Sequence, residues 1–343
     1  MLTLRKTKSA FGLDFHDLPD PRAPGPGEVM VAVENVGICG SDVHAYEWTE
    51  GYGFMSSRLP VTMGHEFAGR VVAAGAGAKL EIGARVTINP GITCGICAAC
   101  RRDDARNCTA RESIGLTRDG GFAKHVTIPD RNCLVLPATV DTEVGALTEP
   151  LGVSCEAVLT GEVKLGDTVL IMGPGTIGQG IALMARAAGA GRVLMAGRAD
   201  EPRFDVMRAL GFDDLIDIAD APLREQVLDR TGGQPVDVVL EATGHPVSIE
   251  AGMNVLKKAG VIVAVGIHAE PVSFNLTNFV RNRHQLRASH GTSSHTFTRV
   301  LNLLSRDPEA YRPMITHRMP LDRGLDGFEL ARQRAASKVM LRP

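Results

Sequence analysis

The sequence predicts an α/β protein with two unlike parts, one β-rich and one a doubly wound parallel sheet. Three observations carry that reading. Short alternating strands, broken by glycine and proline, run from the start of the chain to Ile88. From Leu165 onward, apolar strands alternate with helically spaced runs. Between the first of those strands and its helix lies Gly173-Pro174-Gly175-Thr176-Ile177-Gly178. In that strand–turn–helix setting a glycine fingerprint predicts dinucleotide binding. Gly173 permits the tight turn, Gly175 lets backbone N–H groups approach a pyrophosphate, and Gly178 lets the helix pack close to the strand. Thr176 and Ile177 then stand at the helix N-terminus, which faces the phosphates.

In order, a short strand opens the chain, and residues 19–27 form a Pro/Gly connection. Residues 28–33 alternate as a strand and lead into Gly37-Ile38-Cys39-Gly40-Ser41-Asp42-Val43-His44. Further strands are expected over 66–73, before the glycine turn Gly75-Ala76-Gly77, and over 85–88. Short strands with frequent glycines predict a small barrel or folded sheet. In the second part, strands are expected over 168–172, 192–196, 215–218, 236–241 and 261–265, with 285–289 as a sixth candidate. Helical spacing lies over 179–188, 201–210 and 245–258. The tail opens with a helix over 296–304, then a short extended segment and a closing helix. It suits the second sheet poorly, so the expected division is 1–150 with 290–343, and 151–289.

Length and composition bound the function. The 343 residues suffice for two domains, and a net charge of −2 leaves no polybasic surface for nucleic acid or an anionic membrane. No apolar run reaches the ~18 residues that span a bilayer. The first residues lack a signal-peptide core, so a cytoplasmic protein is expected. Its seven cysteines then read as thiols and metal ligands rather than disulfides.

Cys94-Gly95-Ile96-Cys97-Ala98-Ala99-Cys100, with Cys108 eight residues on, can wrap one ion tetrahedrally. Zinc suits four thiolates, and four cysteine ligands leave no open position, so the expectation is a structural zinc lobe over about residues 90–110. An iron–sulfur cluster is the alternative on the same ligands. A second set is dispersed: Cys39, His65 and Glu66 in Met63-Gly64-His65-Glu66-Phe67, and Glu149 in Leu147-Thr148-Glu149-Pro150-Leu151. Each alone is bland, since an isolated cysteine is usually a small buried hydrophobe.

The order of these motifs resembles the zinc-containing medium-chain alcohol dehydrogenase family over essentially the whole chain. The likeness is greatest to the branch with sorbitol-type polyol dehydrogenases and L-threonine 3-dehydrogenase. The resemblance implies a GroES-like catalytic domain and a Rossmann cofactor domain. It also implies a homo-oligomer, most simply a tetramer, and two zinc ions per chain. Carried over, Cys39 and His65 ligate a catalytic zinc, while Glu66 and Glu149 divide the direct and water-mediated positions. A catalytic zinc needs about three protein ligands and one open position. Cys155 lies too late to replace the glutamate and reads as helix core. The implied reaction is hydride transfer between a secondary alcohol and a nicotinamide cofactor, the metal lowering the hydroxyl pKa. Ser41 and His44 match the family's proton relay. Tyr46 and Trp48 either line the substrate pocket or pack the lobe.

Cofactor choice turns on the end of the second strand of the parallel sheet. An NAD enzyme usually has an acid there for the ribose diol, whereas this chain has Ala196-Gly197-Arg198-Ala199-Asp200. The candidate position is Gly197 or Arg198, with Arg203 to assist, which favours NADP over NAD; Asp200 is the residue that would favour NAD. Val265, Gly266 and Ile267 complete the candidate cofactor residues, and 261–265 with 268–275 are the candidate edge for subunit pairing. For substrate, His44-Ala45-Tyr46-Glu47-Trp48 and Met314-Ile315-Thr316-His317-Arg318 lean toward the threonine branch. Gly91 departs from it, because that branch carries histidine before its Ile-Thr-Cys-Gly segment. A polyol or sugar alcohol is therefore expected, with L-threonine as the alternative. A non-catalytic nucleotide-binding protein and a zinc-free quinone reductase relative are the readings outside this class.

Overall fold

Strands form first because β-branched residues alternate with polar ones. In the computed structural model, which describes residues 1–102, 104 and 107–343, the chain opens with β1 (Leu2–Lys6), β2 (Asp14–Asp17) and β3 (Glu28–Gly37). Helix α1 (Gly40–Glu47) follows, then β4 (Val61–Thr62), β5 (Glu66–Ala74) and β6 (Arg85–Ile88). Val29, Val31 and Val33 of β3 point into the core at the two-residue period of a strand. A small lobe holds β7 (Gly91–Ile92), α2 (Ala98–Arg101) and β8 (Glu112–Ser113). Asp103, Ala105 and Arg106 of that lobe lie outside the described residues. Next come β9 (His125–Pro129), β10 (Cys133–Val135), α3 (Thr142–Gly145) and α4 (Thr148–Thr160).

The parallel sheet alternates with helices: β11 (Thr168–Met172), α5 (Thr176–Ala187), β12 (Arg192–Gly197), α6 (Glu201–Ala209), β13 (Leu215–Asp217) and α7 (Leu223–Arg230). It continues through β14 (Val236–Glu241), α8 (Pro246–Met253), β15 (Leu256–Ala264), α9 (Leu276–Asn282) and β16 (Gln285–Ala288). The tail adds α10 (Ser294–Leu304), β17 (Ile315–Pro320), α11 (Gly324–Arg332) and β18 (Lys338–Arg342). Two units result, Met1–Glu149 with Ser293–Pro343, and Pro150–Thr292. The first contains a mixed sheet in the order β10-β6-β5-β3-β18-β17, with β9 also on β3; its pairs are antiparallel except β17 with β18, which run parallel. The second contains the six strands β13-β12-β11-β14-β15-β16, all parallel. Among the described residues no helix is long and apolar enough to cross a membrane.

Three expectations are corrected. The helix over 245–258 stops at Met253, because Leu256 joins the ladder opposite Val236 and starts β15. Strand pairing outweighs helical spacing there. Residues 261–265 are not an edge, since β16 pairs along β15 from Gln285 to Ala288 and is itself the outermost strand. The chain closes on a strand rather than a helix: β18 pairs with β17 and, through Met340 and Leu341, with β3.

Candidate active site

The turn after β3 and the start of β5 bring one thiol, one imidazole and one carboxylate together. Ligand atoms of Cys39, His65 and Glu66 all lie within 4.8 Å of one another. Cys39 caps the N-terminus of α1, where its backbone N–H donates to Asp42 Oδ2 at 3.0 Å. The other oxygen of Asp42, a fully buried residue, lies 3.3 Å from His65 Nδ1. This carboxylate orients the ring, so Nε2 faces the cluster, 3.2 Å from Ser41 Oγ. Lys338, on β18, pairs with Glu66 Oε2 and donates to the Ile38 carbonyl at 2.9 Å. Glu66 Oε1 stays buried with no hydrogen-bond partner among the described residues. A buried unpaired oxygen beside a thiol and an imidazole is a donor set that fits zinc. Glu149, at the start of α4, is buried but lies outside that three-residue group.

The electrostatics are those of closely spaced buried charges. Burial disfavours an imidazolium at His65, yet Asp42 and Cys39 outweigh it and hold His65 well above the usual histidine range. Burial and then Glu66 push the Cys39 thiol up, with His65 and Lys338 pulling the other way. Burial also pushes Glu149 up to about 7, assisted by Glu66 and opposed by His65 and Lys338. Lys338 stays above its ordinary value because Glu66 and Cys39 outweigh its burial.

His44 sits three residues after Ser41 on α1, so both share a helix face. Its Nδ1 lies 3.3 Å from Thr49 Oγ1, and its ring stacks on Tyr52 at 5.9 Å. Tyr46 packs into the core against Phe11 and Phe328 while its hydroxyl donates to Glu329, so it is a packing residue. Trp48 lies under the Lys6 ammonium, 5.1 Å from its ring. Cys155 is buried within α4.

The four sulfurs of Cys94, Cys97, Cys100 and Cys108 also lie within 4.8 Å of one another. The Cys94 and Cys108 sulfurs are 3.6 Å apart, far beyond a disulfide. A tetrahedron with ~2.3 Å metal–sulfur bonds has edges of about 3.8 Å, so the set fits zinc. Backbone N–H groups, first that of Cys100, hold the Cys97 thiol down at about 5, toward the thiolate a metal requires. Arg118 of this lobe pairs with Glu28 at 2.9 Å. The Arg111 guanidinium instead fills the space over Gly91, 2.9 Å from where a β-carbon would stand.

In the parallel sheet, β11 runs into the glycine turn and Gly175 caps α5. A side chain at Gly178 would overlap the Gly173 carbonyl, so helix and turn pack backbone to backbone. At Gly175 the space is open, with Arg203 Nη1 3.8 Å from a β-carbon there. Thr176 and Ile177 form the first turn of α5, an anion-binding end. That cradle fits a dinucleotide. No side chain fits at Gly197, where a β-carbon would lie 2.8 Å from Phe204 and 2.9 Å from Pro174. Arg198 is exposed just beyond β12, while Asp200 is buried and ion-paired with Arg203 at 3.2 Å. Asp217 accepts the Ala199 N–H at 3.0 Å, which holds this turn. Val265 and Gly266 donate their N–H groups to the Glu241 carbonyl, and Ile267 is exposed.

Sequence reasoning missed Asp42, Lys338 and Glu241. An acid three residues after Cys39 is a capping-box signal that identifies Asp42. Nothing local marks Lys338.

Residues 25–138 match the family described as Alcohol dehydrogenase GroES-like domain, and 176–306 match Zinc-binding dehydrogenase. The chain is similar to an L-threonine 3-dehydrogenase of Pyrococcus abyssi, 35% identical over 99% of this chain and 98% of that one. It is similar to a sorbitol dehydrogenase of Halalkalibacterium halodurans, 32% identical over 100% of this chain and 99% of that one. Among solved structures, a zinc-binding dehydrogenase of Sinorhizobium meliloti bound to NADP superposes with a TM-score of 0.88 at 28% identity. That match covers 100% of this chain and 99% of the other.

Proposed function

The chain belongs to the zinc-containing medium-chain alcohol dehydrogenases, and from that premise we propose that it oxidises polyols at a secondary carbon bearing an adjacent hydroxyl, with NADP ahead of NAD. The observation that carries the reading is the buried Cys39, His65 and Glu66 cluster, one of whose carboxylate oxygens lacks a partner. Cys39, His65 and Glu66 would hold a zinc ion that supplies Lewis-acid chemistry toward a substrate hydroxyl, and the glycine turn at 173–178 would hold a nicotinamide cofactor that supplies the hydride acceptor.

The chain's own residues do the rest. Asp42 orients His65, and Lys338 holds one oxygen of Glu66 while leaving the other free. Glu149 is a second buried carboxylate, outside the three-residue group but within electrostatic reach of His65 and Glu66, and would serve as a direct or water-mediated ligand and orient a neighbouring hydroxyl. Ser41 takes the proton from the substrate hydroxyl, and His44, on the same face of α1, passes it outward. A vicinal diol gains an orienting contact that a simple alcohol lacks. Cys94, Cys97, Cys100 and Cys108 would hold a second, structural zinc. Arg198 and Arg203, with no free acid at the end of β12, support NADP.

L-Threonine is the second reading. Its support is that relatives bear that name; Arg111, exposed on the cysteine lobe with its guanidinium over Gly91, is the candidate cation for a substrate carboxylate. The deciding experiment is a panel of erythritol, threitol, xylitol, arabinitol, sorbitol, galactitol, 2,3-butanediol and L-threonine with each cofactor. We expect kcat/KM on the best polyol at least ~100-fold above that on L-threonine, the size of a lost polar pairing. Preferred turnover of L-threonine reverses the order.

The proposal includes a homo-oligomer, a tetramer by family. Its support is the open edge of β16, flanked by exposed Leu276, Val280 and Leu286.

A further inference from the structure

At the carboxyl end of β14, Glu241 is fully buried, next in register to Met172, the last residue before the glycine turn. Four donors reach its carboxylate. Oε1 accepts the Thr243 N–H at 2.7 Å, the Gly244 N–H at 3.0 Å and the Thr243 hydroxyl. Oε2 faces His268 Nε2 at 3.0 Å. Its main-chain carbonyl accepts the N–H groups of Val265 at 2.8 Å and Gly266 at 3.0 Å. One residue therefore ties down both loops at this end of the sheet, 242–245 after β14 and 265–268 after β15.

The two loops also meet backbone to backbone. A β-carbon at Gly266 would overlap the Gly244 N–H, and one at Gly173 would lie 3.0 Å from Thr243 and 3.1 Å from Ala242. The contact chain from the glycine turn to His268 is thus continuous. In open parallel sheets ligands lie outside the carboxyl ends of the strands, so these loops border the cofactor beyond its phosphates. The tie from the second loop's side chain is the histidine alone. With Glu241 as a carboxylate, which only accepts, the hydrogen of this contact sits on Nε2 and the bond is charge-assisted.

We infer that the Glu241–His268 pair is a positioning device that holds loops 242–245 and 265–268 in the shape that receives the nicotinamide half of the cofactor. This rests on the dinucleotide reading. The side-chain hydrogen bonds of the pair among the described residues go to Thr243, Gly244 and each other, not to residues 173–178 or Arg198, so its loss should act mainly on the nicotinamide half of the ligand. The test is direct binding to the full-length protein. Kd for NADPH is read from nicotinamide fluorescence, and Kd for 2′-phospho-ADP-ribose, which lacks nicotinamide, from calorimetry. His268→Ala should weaken NADPH roughly tenfold, the scale of one charge-assisted hydrogen bond, and leave 2′-phospho-ADP-ribose within about twofold. His268→Gln, which keeps a donor toward Glu241, should recover most of the loss. Equal weakening of both ligands, or no change in either, overturns the inference. Wild-type protein that binds 2′-phospho-ADP-ribose but gains nothing from nicotinamide also overturns it, while the dehydrogenase reading's cradle survives. Wild-type protein that binds neither ligand, nor NADH or ADP-ribose, overturns both.

Discussion

At the residue scale, the candidate metal cluster divides into atoms that could hold an ion and atoms that aim them. Cys39, His65 and Glu66 offer donors, and Asp42 and Lys338 fix the orientation of two of the three. Cys39→Ser should abolish turnover yet leave about one zinc on a folded chain. Cys100→Ser should lower thermal stability, because a structural zinc contributes folding energy. Metal analysis of active wild-type protein should give two zinc ions, and one or none would refute the assignment. The cluster also predicts a pH dependence for metal-stripped protein. Glu149 is pushed up to about 7 from an ordinary 4.5, so the folded state binds its proton more tightly than the unfolded chain. That contribution is full below the unfolded value and is lost as pH rises through about 7. His65, also held high, has the same sign. The melting temperature of stripped protein should therefore fall between pH 5 and pH 8, by roughly the effect of one or two buried charges, and Glu149→Gln should flatten the slope. A profile that rises over this window would count against the burial of Glu149 as a carboxyl.

At the scale of elements, the proposed preference for NADP rests on the turn from β12 into α6. Phe204 and Pro174 exclude any side chain at Gly197, and Asp217 ties down Ala199. Asp200, the acid that would favour a ribose diol, is already paired with Arg203. Arg198 remains exposed beside them. Arg198→Ala should raise KM for NADP roughly 30- to 100-fold, the worth of one charge-assisted pair to a 2′-phosphate, with little change for NAD. Steady-state kinetics with both cofactors reads this directly. Wild-type preference for NAD would transfer attention to Asp200.

At the scale of the whole molecule, each unit carries one kind of chemistry. The unit of Met1–Glu149 with Ser293–Pro343 holds both cysteine-containing metal sets, and Pro150–Thr292 holds the glycine turn. In the second unit β16 has no partner on its outer edge among the described residues, with Leu286 42% exposed and Val280 of α9 64% exposed. Unpaired N–H and C=O groups beside apolar side chains favour strand-to-strand pairing between copies. Sedimentation at micromolar concentration should give an oligomer. A Leu286→Lys change should shift the protein toward smaller species, and a wild-type monomer would refute the pairing.

The sequence by itself determined whatever depends on neighbours along the chain. The Cys94–Cys108 spacing, the strand–glycine–helix order at 168–187 and the alternation in β3 are local patterns, and local geometry turns each into structure. Cys39 and the adjacent His65 and Glu66 were legible as ligands only through the resemblance of their motifs, since each is bland in isolation. The tertiary structure alone decided the rest. Lys338 reaches Glu66 across 272 residues of sequence, because β18 is drawn alongside β3. His268 finds Glu241 because parallel pairing stacks the ends of β14 and β15. Residues 256–258 became strand rather than helix, and β16 rather than β15 became the edge, for the same reason. Short-range spacing encodes turns, caps and ligand knots. Which buried charges meet is set by the sheet that carries them, and burial makes each such pairing too costly to leave incomplete.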